Sequence, residues 1–146
     1  MVILLTVGFA VGCAEQSTTA PATSTDLEPP IQASLLIQTS DTDILWYRAV
    51  EGPIGMSAYD LTLRAIGPAL ESKWSPAFQS HFVEGIAGVQ NDAPYYWIVY
   101  VWDDQEGTWT PLTVGPDIFS ITDGSNIAWA YTNTSQQSNT GPTAVP

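Results

Sequence analysis

The chain has 146 residues, with 15 Asp plus Glu against 3 Lys plus Arg and a formal charge of −12. Its hydrophobic content of 45% is enough for a core, and the length fits one domain with tails. The charge repels nucleic-acid phosphates and anionic lipid heads, which argues against both as partners, and a single Cys leaves no internal disulfide.

The N-terminus reads "MVILLTVGFAVGCAEQ". The apolar run Val2 to Val11 is too short to span a bilayer and has the length of a signal-peptide core. It ends directly on Gly12-Cys13. This pattern resembles a bacterial lipoprotein signal over residues 1–13, in which Cys13 is lipidated and becomes the new N-terminus. The resemblance implies an extracytoplasmic protein, lipid-anchored to the bacterial membrane or cell surface. The alternative is an ordinary cleaved signal with an incidental cysteine. Residues 14–30, "AEQSTTAPATSTDLEPP", are rich in Thr, Ser, Pro and Ala and read as a flexible tether. Residues 133–146 read in the same way, as a disordered tail. The folded unit is then residues 31–132, expected to fold without either tail.

Within that unit "IQASLLIQTS" predicts a strand, "DTD" (41–43) a turn, and "ILWYRAVE" a second strand built from pleat-favouring residues. Gly52, Pro53 and Gly55 break the chain. Ser57 is a helix N-cap with Asp60 three residues on. Tyr59, Leu63, Ile66 and Leu70 recur at helical spacing and predict one apolar stripe, ended by Pro68. "HFVEGIAGV" is a short strand broken by glycines. "YYWIVYVWD" is the best strand of the chain and carries large groups on both faces: Tyr95, Trp97, Val99 and Val101 on one, Tyr96, Ile98, Tyr100 and Trp102 on the other. "DDQEG" is a turn, "TWTPLTV" a return segment, "TDGS" a turn and "NIAWAYT" the last strand. The order β-β-α-β-β-β, with one mixed sheet packed against a single helix, is an α+β roll of β-grasp type. One helix covers one sheet face, so the second aromatic face is expected to be a contact surface or to lie under loops.

The stretch "FVEGIAGVQNDAPYYWIVYVWDD" resembles the centre of the transcobalamin-like C-terminal (β) domain family. That domain forms part of transcobalamin and intrinsic factor and also occurs in bacterial surface lipoproteins. Phe82, Ile86, Gly88, Tyr96 and Trp97 fill the family's pattern there. "VGPDIFSITDGSNIAWAYT" is similar to the family's ending through Gly115, Phe119, Asp123, Gly124, Ile127, Trp129 and Tyr131. "GMSAYDLTLRA" looks like its helix start. The resemblance covers residues 31–132 and lacks the large helical domain of the vertebrate carriers, so a second protein would have to supply the other half of the clamp. The hairpin at "DDQEGTW" is longer than the short turn of many bacterial members.

By position, the resemblance implies that Phe82, Trp97, Trp109 and Leu112 contact a small ligand, possibly a corrinoid such as cobalamin. Read from the residues alone, Phe82 and Trp97 are more simply core, because aromatics dominate cores. Trp109 follows the acidic turn at a hairpin tip, where a core has little claim on it. Its truncation is expected to cost under about 1 kcal/mol, against about 3–5 kcal/mol for Trp97→Ala. The acidic groups "DTD" and "DDQE" lack a full calcium-loop pattern and read as solvated turns. His81, the only histidine, suits a corrin cobalt as a ligand, and also reads simply as a solvent-facing side chain. No acid/base pair, nucleophile pair or phosphate loop is visible, so no enzyme and no resident cofactor or metal is expected. The chain reads as a ligand-binding surface lipoprotein. The alternative is a cell-surface protein-interaction or adhesion module with no small ligand. The anchor is directly testable: Cys13→Ala should move the protein from the membrane fraction to the soluble fraction, and unchanged membrane association would remove the lipid from the account.

Overall fold

The computed structural model describes residues 28–136 and 141–146. The expected signal 1–13, its Cys13 and most of the tether lie outside the described residues. The chain runs β1 (Ile31–Gln38), β2 (Ile44–Gly52), α1 (Ala58–Ile66), a 3-10 turn (Gly67–Ala69), β3 (Leu70–Ser75), β4 (Ser80–Ile86), β5 (Val89–Gln90), β6 (Tyr95–Asp103), β7 (Thr108–Pro111) and β8 (Asn126–Asn133). Five strands form one sheet in the order β2-β1-β8-β6-β7. It is mixed, because β1 and β8 run parallel while the other pairs are antiparallel. The remaining strands make a separate three-stranded sheet, β3-β4-β5. Among the described residues the fold is α+β, mostly sheet, with one short α-helix. Among the described residues no helix is long and apolar enough to cross a membrane.

The second sheet corrects the expectation of a single one. "LESKWS" alternates Leu70, Ser72 and Trp74 with Glu71 and Lys73, which is strand periodicity. Leu70 belongs to that alternation, not to the helical stripe it was assigned to. The helix is correspondingly shorter and turned. Its buried residues are Ala58, Leu61 and Thr62, while Leu63 is 48% exposed. Its start is the capping box that the sequence showed: the Asp60 N–H donates to the Ser57 hydroxyl at 3.0 Å and the Ser57 N–H to the Asp60 carboxylate at 3.2 Å. Gly67 ends it with φ of 49°, a conformation costly for other residues, and Pro68 follows in the 3-10 turn.

One polar contact pins helix to sheet. Thr62 is fully buried, and its hydroxyl donates to the Ala58 carbonyl at 2.8 Å. It accepts from the Trp129 indole N–H at 2.9 Å. Donor and acceptor are both used, so a buried hydroxyl carries no unpaired group. Around it Leu35, Leu61, Val83, Trp97, Ile127 and Trp129 form the core between the five-stranded sheet, α1 and β4. A bulge in β2, where Ala49 takes φ of 52°, shifts the register between Ala33 and Leu35. The extra residue lets both Tyr47 and Val50 face this core.

The opposite sheet face is neither bare nor covered by loops between strands. Leu36, Tyr100, Trp109, Ala128 and Ala130 are buried there, with Trp46 and Trp102 beside them. Their cover is residues 141–146 of the same chain. The Trp109 indole N–H donates to the Ala144 carbonyl at 2.6 Å, and the Thr143 N–H donates to the buried Gln38 side chain at 2.9 Å. Two expectations change. The tail expected over 133–146 gives Asn133 to β8 and residues 141–146 to this strap, while residues 137–140 lie outside the described set. The folded unit therefore extends beyond residue 132. Trp109 is only 7% exposed, so it is core and not a hairpin-tip rim residue. Trp109→Ala should cost about 3–5 kcal/mol, as much as Trp97→Ala. Thermal melts of the two variants check this, and a Trp109→Ala melt matching wild type would contradict it.

Candidate functional site

The hairpin of β3 and β4 stands beside the loop 112–120, and a cleft opens between them. Gly115 is what lets the two come so close. A Cβ there would sit 2.2 Å from the Cβ of Ser80, so any side chain would push the loop off the strand. The cleft measures about 350 Å³ and is lined mainly by apolar groups from Phe78, Phe82, Leu112, Val114 and Pro116, with Ser80 and His81 at its side. A smaller hollow of about 180 Å³ adjoins it, where His81, Phe82 and Leu112 meet Trp97 and Trp129.

Three of the four contact residues inferred from the sequence meet here. Phe82 lies at the mouth, 49% exposed, Leu112 is half-buried, and Trp97 forms the floor at 4% exposure. Trp97 is fixed in place: its indole N–H donates to the Val89 carbonyl and its backbone N–H to Asn91, each at 2.8 Å. Trp109 is not in this group. It lies on the far side of the sheet beneath the C-terminal segment.

The polar side of the cleft is a network that sequence reasoning did not find. The His81 imidazole Nδ1 lies 2.8 Å from Asp117 Oδ1. The other carboxylate oxygen accepts from the Ser80 hydroxyl at 2.6 Å and from the His81 backbone N–H at 2.7 Å. Burial pushes the Asp117 carboxyl up, but these bonds from Ser80 and His81 outweigh it and hold the group below its ordinary value of 3.8. An ionised Asp117 has no proton to give, so Nδ1 must carry the proton of that bond. In the neutral ring Nε2 is then a bare acceptor. The ring itself is clamped: Tyr59 stacks on it at 4.1 Å with 2° between planes, and Trp74 meets it edge-on at 5.3 Å. Tyr59 is in turn held by a 2.7 Å hydrogen bond to Ser72.

This arrangement can hold one imidazole in a fixed tautomer and orientation beside an apolar cleft. It differs from a nucleophilic triad, in which the serine would donate to the imidazole, because the Ser80 hydroxyl donates to the carboxylate. Asp117 was not legible because it lies far from His81 in sequence, and only the docking of loop 112–120 on β4 joins them. The acidic turns do other work. Asp103 accepts from the N–H groups of Gln105 and Glu106 at 2.8 and 3.1 Å, closing its own turn. Among the described residues no group of three or more His, Cys, Asp or Glu converges to hold a metal.

Compared with protein-family models and with curated proteins, the chain matches none.

The Asp117 network sets a pH dependence. Its folded-state value is depressed, so its contribution is complete above the ordinary aspartate value of 3.8 and is lost as pH falls through the lower folded value. Urea unfolding of Asp117→Asn and wild type should therefore differ more at about pH 6 than at about pH 3. A stability difference that does not change with pH would show that the carboxylate charge is not what matters.

Proposed function

We propose that the protein is an extracytoplasmic lipoprotein that binds a small, flat, partly apolar ligand, a corrinoid first among candidates, in the cleft beside β4. The observation that carries this is the convergence of Phe82, Leu112 and His81 on one apolar cleft, with Trp97 beneath. A volume of about 350 Å³ is at the low end for small-molecule sites. The cleft therefore suits a small ligand or one edge of a larger one. The second alternative fits the resemblance to the transcobalamin-like domain, in which this unit forms one half of a clamp. On that reading the mixed sheet with α1 on one face is a β-grasp-like roll, Phe82 and Leu112 touch the ligand, and Trp97 shapes the floor. His81 presents Nε2 as an acceptor or as a ligand to cobalt, with Asp117 holding the ring as carboxylates hold metal-ligating histidines. Trp109 has no part in it.

The chemistry asked of the site is binding alone. The apolar walls gain by excluding water from a flat hydrocarbon surface, and the clamped imidazole loses little freedom when it engages. The alternative of an interaction module with no small ligand drew on the tether, on a missing partner domain and on an exposed second sheet face; residues 141–146 lie across that face, which removes the last of these supports.

Titration of the purified protein with cobalamin and cobinamide, read by tryptophan quenching, tests the proposal. Saturable binding is expected, weakened by about tenfold in Phe82→Ala, since that ring would lose its ligand contact. Trp109→Phe should leave the affinity unchanged. Absence of corrinoid binding at high micromolar ligand would end the carrier reading.

A further inference from the structure

The β3–β4 hairpin holds three aromatic rings in water. Trp74 and Phe82 are each 49% exposed, and Phe78, in the turn between the strands, is 71% exposed. A single exposed aromatic is ordinary, but three on one hairpin forgo burial together, and such a patch marks a contact surface.

A second hollow lies beside the cleft, separated from it by Ser75 and Phe82, which border both. It measures about 400 Å³, and Lys73, Trp74, Pro76 and Glu84 complete its lining. Strand register sets polar groups around one ring. Lys73 stands opposite Phe82 across the β3–β4 pair, and Glu84, two residues on from Phe82, shares its face. Trp74 borders the hollow from β3, an edge strand. Among the described residues the Lys73 ammonium, the Glu84 carboxylate and the Trp74 indole N–H have no hydrogen-bond or ion-pair partner. Lys73 and Glu84 therefore flank one aromatic ring without neutralising each other by contact.

This combination selects a ligand that is apolar on its faces and hydroxylated around its edge. A sugar ring has that character. Its axial C–H groups form a face that rests on an aromatic ring, and each hydroxyl both donates and accepts. Lys73 and the Trp74 N–H supply donors and Glu84 an acceptor, and hydrogen bonds to charged groups are the stronger kind. A bilayer is a poorer occupant, because it would strip water from Lys73 and Glu84 and pair neither. The formal charge of −12 opposes an anionic polymer, while one charge of each sign in the hollow suits a neutral one.

We propose that this hollow binds a neutral, β-1,4-linked oligosaccharide of gluco configuration, with one ring resting on Phe82 between Lys73 and Glu84 and a neighbouring ring on Trp74. In that configuration every ring substituent is equatorial, so both ring faces are flat C–H surfaces. The site does not depend on the corrinoid reading, since Lys73, Trp74 and Glu84 line no part of the apolar cleft.

Calorimetric titration of the full chain with cellohexaose and chitohexaose tests this, with maltohexaose as the control, because its α-linkages wind the chain and turn successive rings out of one plane. At least one β-linked probe should bind saturably, about tenfold or more tighter than maltohexaose. Lys73→Ala and Glu84→Ala should each weaken it about tenfold, the loss of one charged hydrogen bond. Both side chains are exposed, so the melts of these variants should match wild type. Trp74→Phe keeps a ring and removes the N–H, and should weaken binding about fivefold. Absence of binding by both β-linked probes at millimolar concentration would overturn the proposal. So would binding that Lys73→Ala and Glu84→Ala leave unchanged, or that maltohexaose matches. Co-sedimentation with phosphatidylcholine vesicles, without sugar binding, would assign the exposed rings to a membrane surface and overturn it equally.

Discussion

Strand β6 has to be covered twice. Trp97, Val99 and Val101 face α1 and the small sheet, while Ile98, Tyr100 and Trp102 face away. Leaving either set in water would forfeit roughly 1.5–3 kcal/mol for each large side chain. The rest of the fold answers that requirement. One cover is broad, made of a helix and a three-stranded sheet. It is fastened by the Trp129–Thr62 bond and by Asn91, which donates to the Val83 carbonyl and accepts from Trp97. The other cover is the single segment 141–146, hooked by side chains. The cleft beside β4 exists because the broad cover is made of separate pieces, and their seam exposes Phe82 and Leu112.

Shortage of cations shapes the polar structure. Arg48, Arg64 and Lys73 are the only permanent positive charges against 15 carboxylates. Arg48 lies over the Trp46 ring at 4.0 Å, and Arg64 sits in the last turn of α1, where it favours the helix dipole. Four of the aspartates are paired instead with backbone N–H groups. Asp60 accepts from Ser57, Asp103 from Gln105 and Glu106, Asp117 from His81, and Asp123 from Gln32 at 2.7 Å. Each of the four closes a turn or joins two elements. Such bonds are short-range and little screened by salt. Protonation is what removes them.

Much of the fold could be read from local pattern, and the exceptions have physical causes. The strand positions from Ile31 to Gln38 and from Tyr95 to Asp103 follow from β-branched and aromatic runs bounded by turns. The helix start follows from Ser57 and Asp60, because capping is settled within one turn. Leu70 misled because a helix stripe and a strand alternation can share a residue. Trp109 misled because the acidic turn before it signals exposure, while its cover arrives from residue 144, distant in sequence. The strap carries little apolar area of its own, so composition assigned it to disorder. Of the candidate site, Phe82, Trp97 and Leu112 came from a resemblance, whereas Asp117, Tyr59 and Trp74 reach His81 only through tertiary packing.

The last strand shows why the two covers differ so much in thickness. Along β8 the alternation is Ile127, Trp129 and Tyr131 toward the helix, against Ala128 and Ala130 toward the strap. Bulky side chains demand an opposing layer set well away from the sheet, and a helix with a small sheet provides one. Two alanines leave less height to fill, and residues 141–146 suffice as cover. Tyr100 and Trp109 are buried beside them, and Trp46 meets Trp109 at 6.4 Å. A substitution such as Ala128→Leu would fill the floor and lift the segment without touching the helix side. The choice of alanine at these two positions, central in the sheet and buried, is what lets one short segment close the second core where the first needs a helix and a sheet.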